Sequence, residues 1–286
     1  MMIAETDLIL NADGSIYHLN LLPEDIAETI ITVGDPERVG DVSKYFDRIE
    51  VKKGKREFIT HTGYIGSKRI TVVSTGIGTD NIDIVFNELD ALVNIDFKTR
   101  TVKPDLTRLE IVRIGTSGTI QPDIPIDSIL VSEYALGLDN LMTFYVSDLS
   151  EKDDGLAQSL KQHVQSFQLP EPYVASCNSN LLEKIGDGLI KGITLTAPGF
   201  YAPQGREVRA KNVFKNFIEI FQSFNYQGTR VTNLEMETAG IYALAGILNH
   251  KALSVNAILA SRAKLEFSKK PYKVVDQAIK HVLEKL

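Results

Sequence analysis

Arg69-Ile-Thr-Val-Val73 runs into Ser74-Thr-Gly-Ile-Gly-Thr79, after which Ile82, Val85, Phe86, Leu89 and Val93 recur at helical spacing. A β-branched run, a glycine loop and an amphipathic helix in that order form the repeating unit of α/β folds. The pattern returns along the chain. Residues 29–33 read as a buried strand stopped by Gly34-Asp-Pro-Glu-Arg-Val39, and residues 109–114 as one ending in Gly115-Thr-Ser-Gly118. Residues 128–131, 192–196 and 252–259 read as further strands, and Pro271 opens a C-terminal helix with Val274, Val275, Ala278, Val282 and Leu283 on one face. The expected fold is α/β, one domain over residues 1–286, with a central mixed, mostly parallel twisted sheet flanked by helices. Ligands of such sheets bind beyond the carboxyl ends of the strands. Arg38, Thr116, Gln204, Arg206 and Arg262 all fall just after a predicted strand, and Arg113 near the end of one.

The composition narrows the function classes. A chain of 286 residues can bury a sizeable core, and no stretch reads as a linker between domains. A net charge of −6 speaks against nucleic acid as a partner, because phosphate-backbone binding rests on a basic surface. No apolar run is long enough to span a bilayer, and the first ten residues carry acids where a signal peptide would carry Lys or Arg. The expectation is a cytoplasmic protein. The single Cys177 excludes an intrachain disulfide and a cysteine zinc site, and reads as a small buried hydrophobe.

Two stretches carry chemistry. In Asn233-Leu-Glu-Met-Glu-Thr-Ala-Gly240 two carboxylates stand at the mouth of a segment that is apolar on every helical face, hence a buried helix. One acid there is explained by the helix dipole. Two of them flanking Met236 call for donors, since a buried carboxylate without partners costs on the order of several kcal/mol, and sugar hydroxyls are suitable donors. Arg113 lies within an otherwise apolar strand and needs a fixed anion, either a ligand or a structural carboxylate. Arg38, just past a strand and Gly34, is placed to grip a phosphate with its planar fork. Two tempting motifs fail. Gly76-Ile-Gly78 has Asn81 where a dinucleotide fingerprint needs its third glycine, and Gly115-Thr-Ser-Gly118 lacks the spacing of a nucleophile elbow. His18, between Tyr17 and Leu19, reads from its neighbours alone as an ordinary half-buried histidine.

Taken together, Gly34-Asp-Pro-Glu-Arg-Val39, Arg56-Glu-Phe58, Ser74-Thr-Gly-Ile-Gly78, Arg113-Ile-Gly-Thr-Ser-Gly118 and Leu234-Glu-Met-Glu-Thr238 resemble, in order and spacing, the nucleoside phosphorylase I family, and within it the uridine phosphorylases. The resemblance covers most of the chain. It implies one nucleoside phosphorylase-like catalytic domain, a pentosyltransferase that needs no cofactor and takes uridine with phosphate as co-substrate. It implies phosphate held by Gly34, Arg38, Arg113 and Thr116, with Arg56 reaching into a neighbouring subunit's site. Ribose would be cradled by Glu235, Met236 and Glu237, and its 5′ hydroxyl met by His18 across the subunit interface. Phe200 would stack on the base, Gln204 and Arg206 would read uracil, and Arg262 would bind the base with them. Arg113, Gln204, Arg206 and Glu237 are then the catalytic group.

Purine-specific relatives carry an Asp after the late strand, where this chain reads Ala260-Ser-Arg262. Some relatives hold a monovalent cation at a dimer interface through the positions of Glu57, Ile77 and Asn81, although Asn81 replaces the usual Ser. A homodimer with shared sites is implied. The polar stretch 94–108, longer than in compact bacterial relatives, leaves a hexamer of three dimers open, as it leaves its own role. Acceptance of deoxyuridine and thymidine stays open, as do a purine phosphorylase or nucleosidase of the same fold and a nucleoside-binding sensor.

Overall fold

Thr29–Val33 forms strand β1 with all five residues buried, as a β-branched run between two covered faces should be. It belongs to a computed structural model that describes residues 2–147, 153–167, 169 and 171–286. The chain divides into two units, Met1–Val112 with Leu248–Lys251, and Arg113–Ile247 with Ala252–Leu286.

In the first unit β1 leads into helix α1 (Pro36–Ser43), opened by Asp35, whose carboxylate accepts from the Glu37 amide at 2.9 Å. Strands β2 (Arg48–Lys55), β3 (Phe58–Ile65) and β4 (Lys68–Ser74) follow. β1 pairs with β4 in parallel, and β4, β3 and β2 pair antiparallel. The β2–β3 hairpin does not announce itself in the sequence, because β2 alternates only between exposed and half-buried residues. Helix α2 (Thr79–Asn94) buries Ile82, Val85, Phe86 and Leu89, the stripe its spacing predicts. Strand β7 (Glu110–Thr119) begins in this unit.

The polar stretch after α2 folds as a small hairpin of β5 (Ile95–Asp96) and β6 (Thr101–Val102). Its Arg100, at a left-handed φ of 55°, is more than a solvated charge. The guanidinium donates to the carbonyls of Ile3 and Ala4, both at 3.0 Å, and to that of Leu8. The Ile3 amide returns a bond to the Arg100 carbonyl at 2.7 Å.

The second unit holds the rest of β7, then β8 (Ile129–Gly137), α3 (Asp154–Val164), β9 (Tyr173–Ser176), α4 (Ser179–Ile185), β10 (Ile190–Thr196) and α5 (Phe217–Gln222). After these come β11 (Asn225–Tyr226), β12 (Thr229–Glu235), α6 (Thr238–Ile247), β13 (Lys251–Ser261), β14 (Glu266–Phe267) and α7 (Pro271–Lys285). β8, β10 and β12 run parallel, while β13 and β9 pair antiparallel with β8. The fold is mixed α/β. Helix α6 is buried from Thr238 to Ala245 and packs on β8, β9 and β10, as an element apolar on all faces must. Leu136, Ile193, Leu195, Val231 and Leu234 of the sheet close with Leu160 of α3 and Phe221 of α5 into one core.

One boundary differs from expectation. Strand β7 does not stop at Gly115 but continues to Thr119, because β12 pairs with its last residues, Leu234 opposite Gly118 and Asn233 opposite Thr119. Thr116 therefore lies within a strand and not in a loop. Cys177 is half-buried, and burial, followed by Glu133, pushes its thiol up to about 12, so it is a protonated, unreactive thiol at neutral pH. Among the described residues no helix is long and apolar enough to cross a membrane.

Replacing Arg100 with Ala is expected to release residues 3–8 locally, since charge-assisted hydrogen bonds contribute about 1.5–3 kcal/mol each at most. Amide hydrogen exchange should speed up at Ile3 and Leu8 and stay slow in β1 and β4. Equal acceleration in both regions would contradict a local tether.

Candidate active site

The second unit gathers its chemistry where parallel strands end. Gly137 of β8, Thr196 of β10 and Glu235 of β12 stand opposite one another in register. Arg113 of β7 is wholly buried beside them, its Nη2 3.0 Å from Glu235 and 2.6 Å from Glu237. Its Nη1 donates to Asn256 Oδ1 at 2.9 Å and, more weakly, to Ser254 Oγ at 3.4 Å. Burial alone would lower its pKa, but Glu235 and then Glu237 outweigh that and raise it. Of the two partners left open for Arg113, the chain itself supplies carboxylates. They are the two flanking Met236.

The two carboxylates are not equivalent. Glu235 accepts from Thr196 Oγ1 at 2.7 Å, from the Glu237 amide at 3.0 Å and from the Thr238 amide at 3.0 Å, in addition to Arg113. It thus takes up the free amides at the start of α6. Thr196 completes the joint by accepting from the Ala239 amide at 2.9 Å. Glu237 opens the helix beside it and shares the same Arg113 nitrogen. Met236, between them, is half-buried.

Below the cluster runs a chain of buried polar groups. Asn256 donates to Ser132, Ser132 meets Thr194 at 2.5 Å, Thr194 donates to Asn233 at 2.8 Å, and Asn233 donates to Ser117 at 2.9 Å, next to the half-buried Thr116. Every member has a partner, which lets a polar interior rigidify the strands instead of weakening them.

Phe200, Gln204, Arg206 and Arg262 also come together. The Arg206 guanidinium lies 3.9 Å from the centre of the Phe200 ring and donates to the Phe200 carbonyl at 2.7 Å and to Gln204 Oε1 at 2.5 Å. Arg262 donates to the carbonyl of Gln204 at 2.8 Å. Gln204 is buried in a single 3-10 turn, Ala202–Gln204, closed by Gly205 at a left-handed φ of 70°. Both guanidinium groups meet only neutral oxygens, with no carboxylate partner among the described residues. Burial, then the neighbouring Arg262, brings the Arg206 pKa down to about 10, and burial lowers that of Arg262. Arg206 is still charged at neutral pH.

In the first unit Gly34 approaches the Gly76 carbonyl so closely that a Cβ would stand 3.3 Å from it. Arg38 sits half-buried in the first turn of α1. Arg56 is exposed at the tip of the β2–β3 hairpin with a left-handed φ of 57°. Glu57, Ile77 and Asn81 cluster around Gly76, and Asn81 Nδ2 points at the Ile77 carbonyl from 3.5 Å. His18 Nδ1 stands 2.6 Å from Glu88.

Thr196, Ser254, Asn256 and Glu88 escape the sequence reading. Ser254 and Asn256 left a signal, two polar side chains at alternate positions of an apolar strand, which puts them on one face. Glu88 left none, because a Glu on an amphipathic helix ordinarily faces water.

The family model described as "Phosphorylase superfamily" matches residues 28–286, and the chain belongs to that family. A protein named uridine phosphorylase from Thermococcus kodakarensis is 30% identical over 276 residues, covering 95% of this chain and 88% of its own length. One of the same name from Haemophilus influenzae is 28% identical over 259 residues, covering 88% and 89%. A solved structure described as a Trypanosoma brucei nucleoside phosphorylase that shows uridine phosphorylase activity superposes with a TM-score of 0.89 at 28% identity, covering 98% of this chain and 99% of that one.

A Cβ at Gly115 would stand 1.7 Å from Arg113 Nη1 and 2.3 Å from its Cζ. The guanidinium cannot swing away without leaving buried carboxylates unpaired, so Gly115→Ala is expected to destabilise by about 3–5 kcal/mol. At Gly118 the nearest atom is 3.6 Å away, an ordinary contact. Gly118→Ala should shift a urea midpoint far less, and equal shifts would remove the special role of Gly115.

Proposed function

We propose that this chain catalyses the reversible phosphorolysis of uridine to uracil and ribose 1-phosphate. The observation that carries the reading is the pair of under-neutralised cations, Arg206 and Arg262, set beside an aromatic ring and a buried carboxamide. Two guanidinium groups without carboxylates suit a partner that gains negative charge. Uracil is such a partner, because cleavage of the C1′–N1 bond leaves the electron pair on the base, spread over its carbonyl oxygens.

In this reading Phe200 stacks on the base, Gln204 pairs with its imide edge and Arg206 donates to a carbonyl as charge develops, with Arg262 steadying the turn that carries Gln204. Donors whose bonds strengthen only in the transition state raise turnover, each contributing about 3–4 kcal/mol. Met236 offers an apolar surface to the sugar, Glu237 takes the 2′ and 3′ hydroxyls, and Glu235 holds the helix start that presents them. Phosphate is the nucleophile that bonds to C1′ as the base departs, held, as the resemblance implies, by Gly34, Arg38, Arg113 and Thr116. Departing uracil is then protonated from solvent. The reaction as proposed draws on no cofactor or metal.

The assembly proposed is a homodimer that shares its sites, alone or three to a hexamer, in the cytoplasm. Arg56 stands exposed at a hairpin tip, its left-handed φ being what a two-residue hairpin turn asks for, and such a tip is open to a neighbouring subunit.

Base release should occur from uridine only when phosphate is present. Release from inosine instead would overturn the base assignment, and release without phosphate would make the chain a hydrolase. Arg206→Ala should lower uridine turnover about a hundredfold or more, with a much smaller effect on ribose 1-phosphate binding measured by calorimetry. Equal losses in both would contradict a leaving-group role.

A further inference from the structure

We propose that Glu88 is a positioning residue for the sugar end of the nucleoside site: it fixes His18 in the tautomer that presents an unprotonated Nε2 to a substrate hydroxyl. The proposal rests on the nucleoside chemistry proposed above. Glu88 projects from α2, its side chain only 12% exposed, and its carboxylate bonds to one short stretch of chain. Its Oε1 accepts from His18 Nδ1 at 2.6 Å and from the His18 amide at 3.0 Å, and its Oε2 accepts from the Leu19 amide at 2.8 Å. A helix side chain thus holds two successive backbone amides and one ring.

Both carboxylate oxygens accept from amides, so the group acts as an acceptor and the proton between Glu88 and the ring sits on Nδ1. In a neutral imidazole Nε2 is then the acceptor, and among the described residues nothing in the chain bonds to it. The ring has little freedom to turn. Tyr17 meets it edge-on with centroids 4.8 Å apart, and Phe58 does so at 6.4 Å. Tyr17 is itself held, with Lys55 Nζ 3.9 Å from its ring centre and 2.6 Å from its carbonyl oxygen. An acceptor nitrogen framed by aromatic rings fits a neutral hydroxyl donor and repels an anion. A hydroxyl is therefore the ligand group that suits it, in keeping with the 5′-hydroxyl role that the resemblance implies for His18.

Two measurements test this. The first compares kcat/KM for uridine with that for 5′-deoxyuridine, which lacks only the primary hydroxyl. The wild-type preference for uridine should fall about tenfold, the scale of one hydrogen bond, in His18→Ala and in Glu88→Gln alike, and no further when both are combined. A glutamine puts a donor where His18 or Leu19 already donates. Loss of both substrates in equal proportion, or multiplied losses in the double variant, would reduce Glu88 to a structural role and overturn the proposal. The second is the imidazole ¹⁵N spectrum of the wild-type chain at neutral pH, with the His18 signals assigned by their loss in His18→Ala. A proton on Nδ1 alone is expected. A proton on Nε2, or on both nitrogens, would overturn the proposal even if Glu88→Gln failed to fold. A wild-type chain inert towards uridine would instead strike at the proposed function, while the spectrum would still decide what Glu88 does to His18.

Discussion

The second unit depends on one guanidinium taken out of water. An ion of this kind inside a protein carries a desolvation penalty of at least several kcal/mol, and the attraction of its partners repays it only where geometry and hydrogen bonding are close to ideal. Arg113 meets that condition with Glu235 and Glu237 on one nitrogen and Asn256 and Ser254 on the other. The consequences spread outward. Residue 115 must be glycine because the guanidinium folds back across it. β7 must run on to Thr119 to meet β12, and α6 must begin where Glu235 can collect its first amides. An apolar cluster of the same volume would often be as stable or more so. The charge is therefore better explained by what it holds than by what it stabilises.

The two arginine environments differ in sign. Arg113 faces two carboxylates and is formally over-neutralised, whereas Arg206 and Arg262 face carbonyls, a carboxamide and an aromatic ring. Burial and mutual repulsion both work against Arg206, which is why its pKa falls to about 10 while that of Arg113 rises. A protein that sought only stability would place an acid between the two cations. Leaving them with neutral acceptors keeps unspent positive potential in a partly buried place, where its effect on a developing anion is greater than in water.

Periodicity made the main frame legible. β1, β4, α2, α6 and α7 stand where apolar spacing puts them, because each buries a face through its own side chains. Elements fixed by a neighbour were not legible. β12, Thr-Arg-Val-Thr-Asn-Leu-Glu, is polar at five of its seven positions, and its buried Asn233 and Glu235 find partners in Thr194, Ser117 and Thr196 only once these arrive from other strands. The extension of β7 past its glycines has the same cause. Of the candidate site, Phe200, Gln204, Arg206 and Arg262 could be named from motif and offset, but the support from Thr196, Asn256 and Glu88 is a property of three dimensions. Arg100 shows the converse. It read as one charge in a polar stretch, and it is an anchor for the start of the chain.

Glu235 and Glu237 show how one helix start can serve two ends. Two acids one residue apart at the mouth of a buried helix would repel each other, and the fold resolves this by giving them unequal partners. Glu235 has hydrogen bonds from a hydroxyl, two amides and a guanidinium, so its charge is spread over the chain and its geometry is fixed. Because one of those amides belongs to Glu237 itself, the fixed carboxylate sets the backbone from which the second one projects. Arg113 then ties the two heads through a single nitrogen, so that neither can move without the other. The pair behaves as one rigid acceptor, its geometry set by the chain before anything binds. Such preorganisation lets a site order a flexible ligand without first ordering itself.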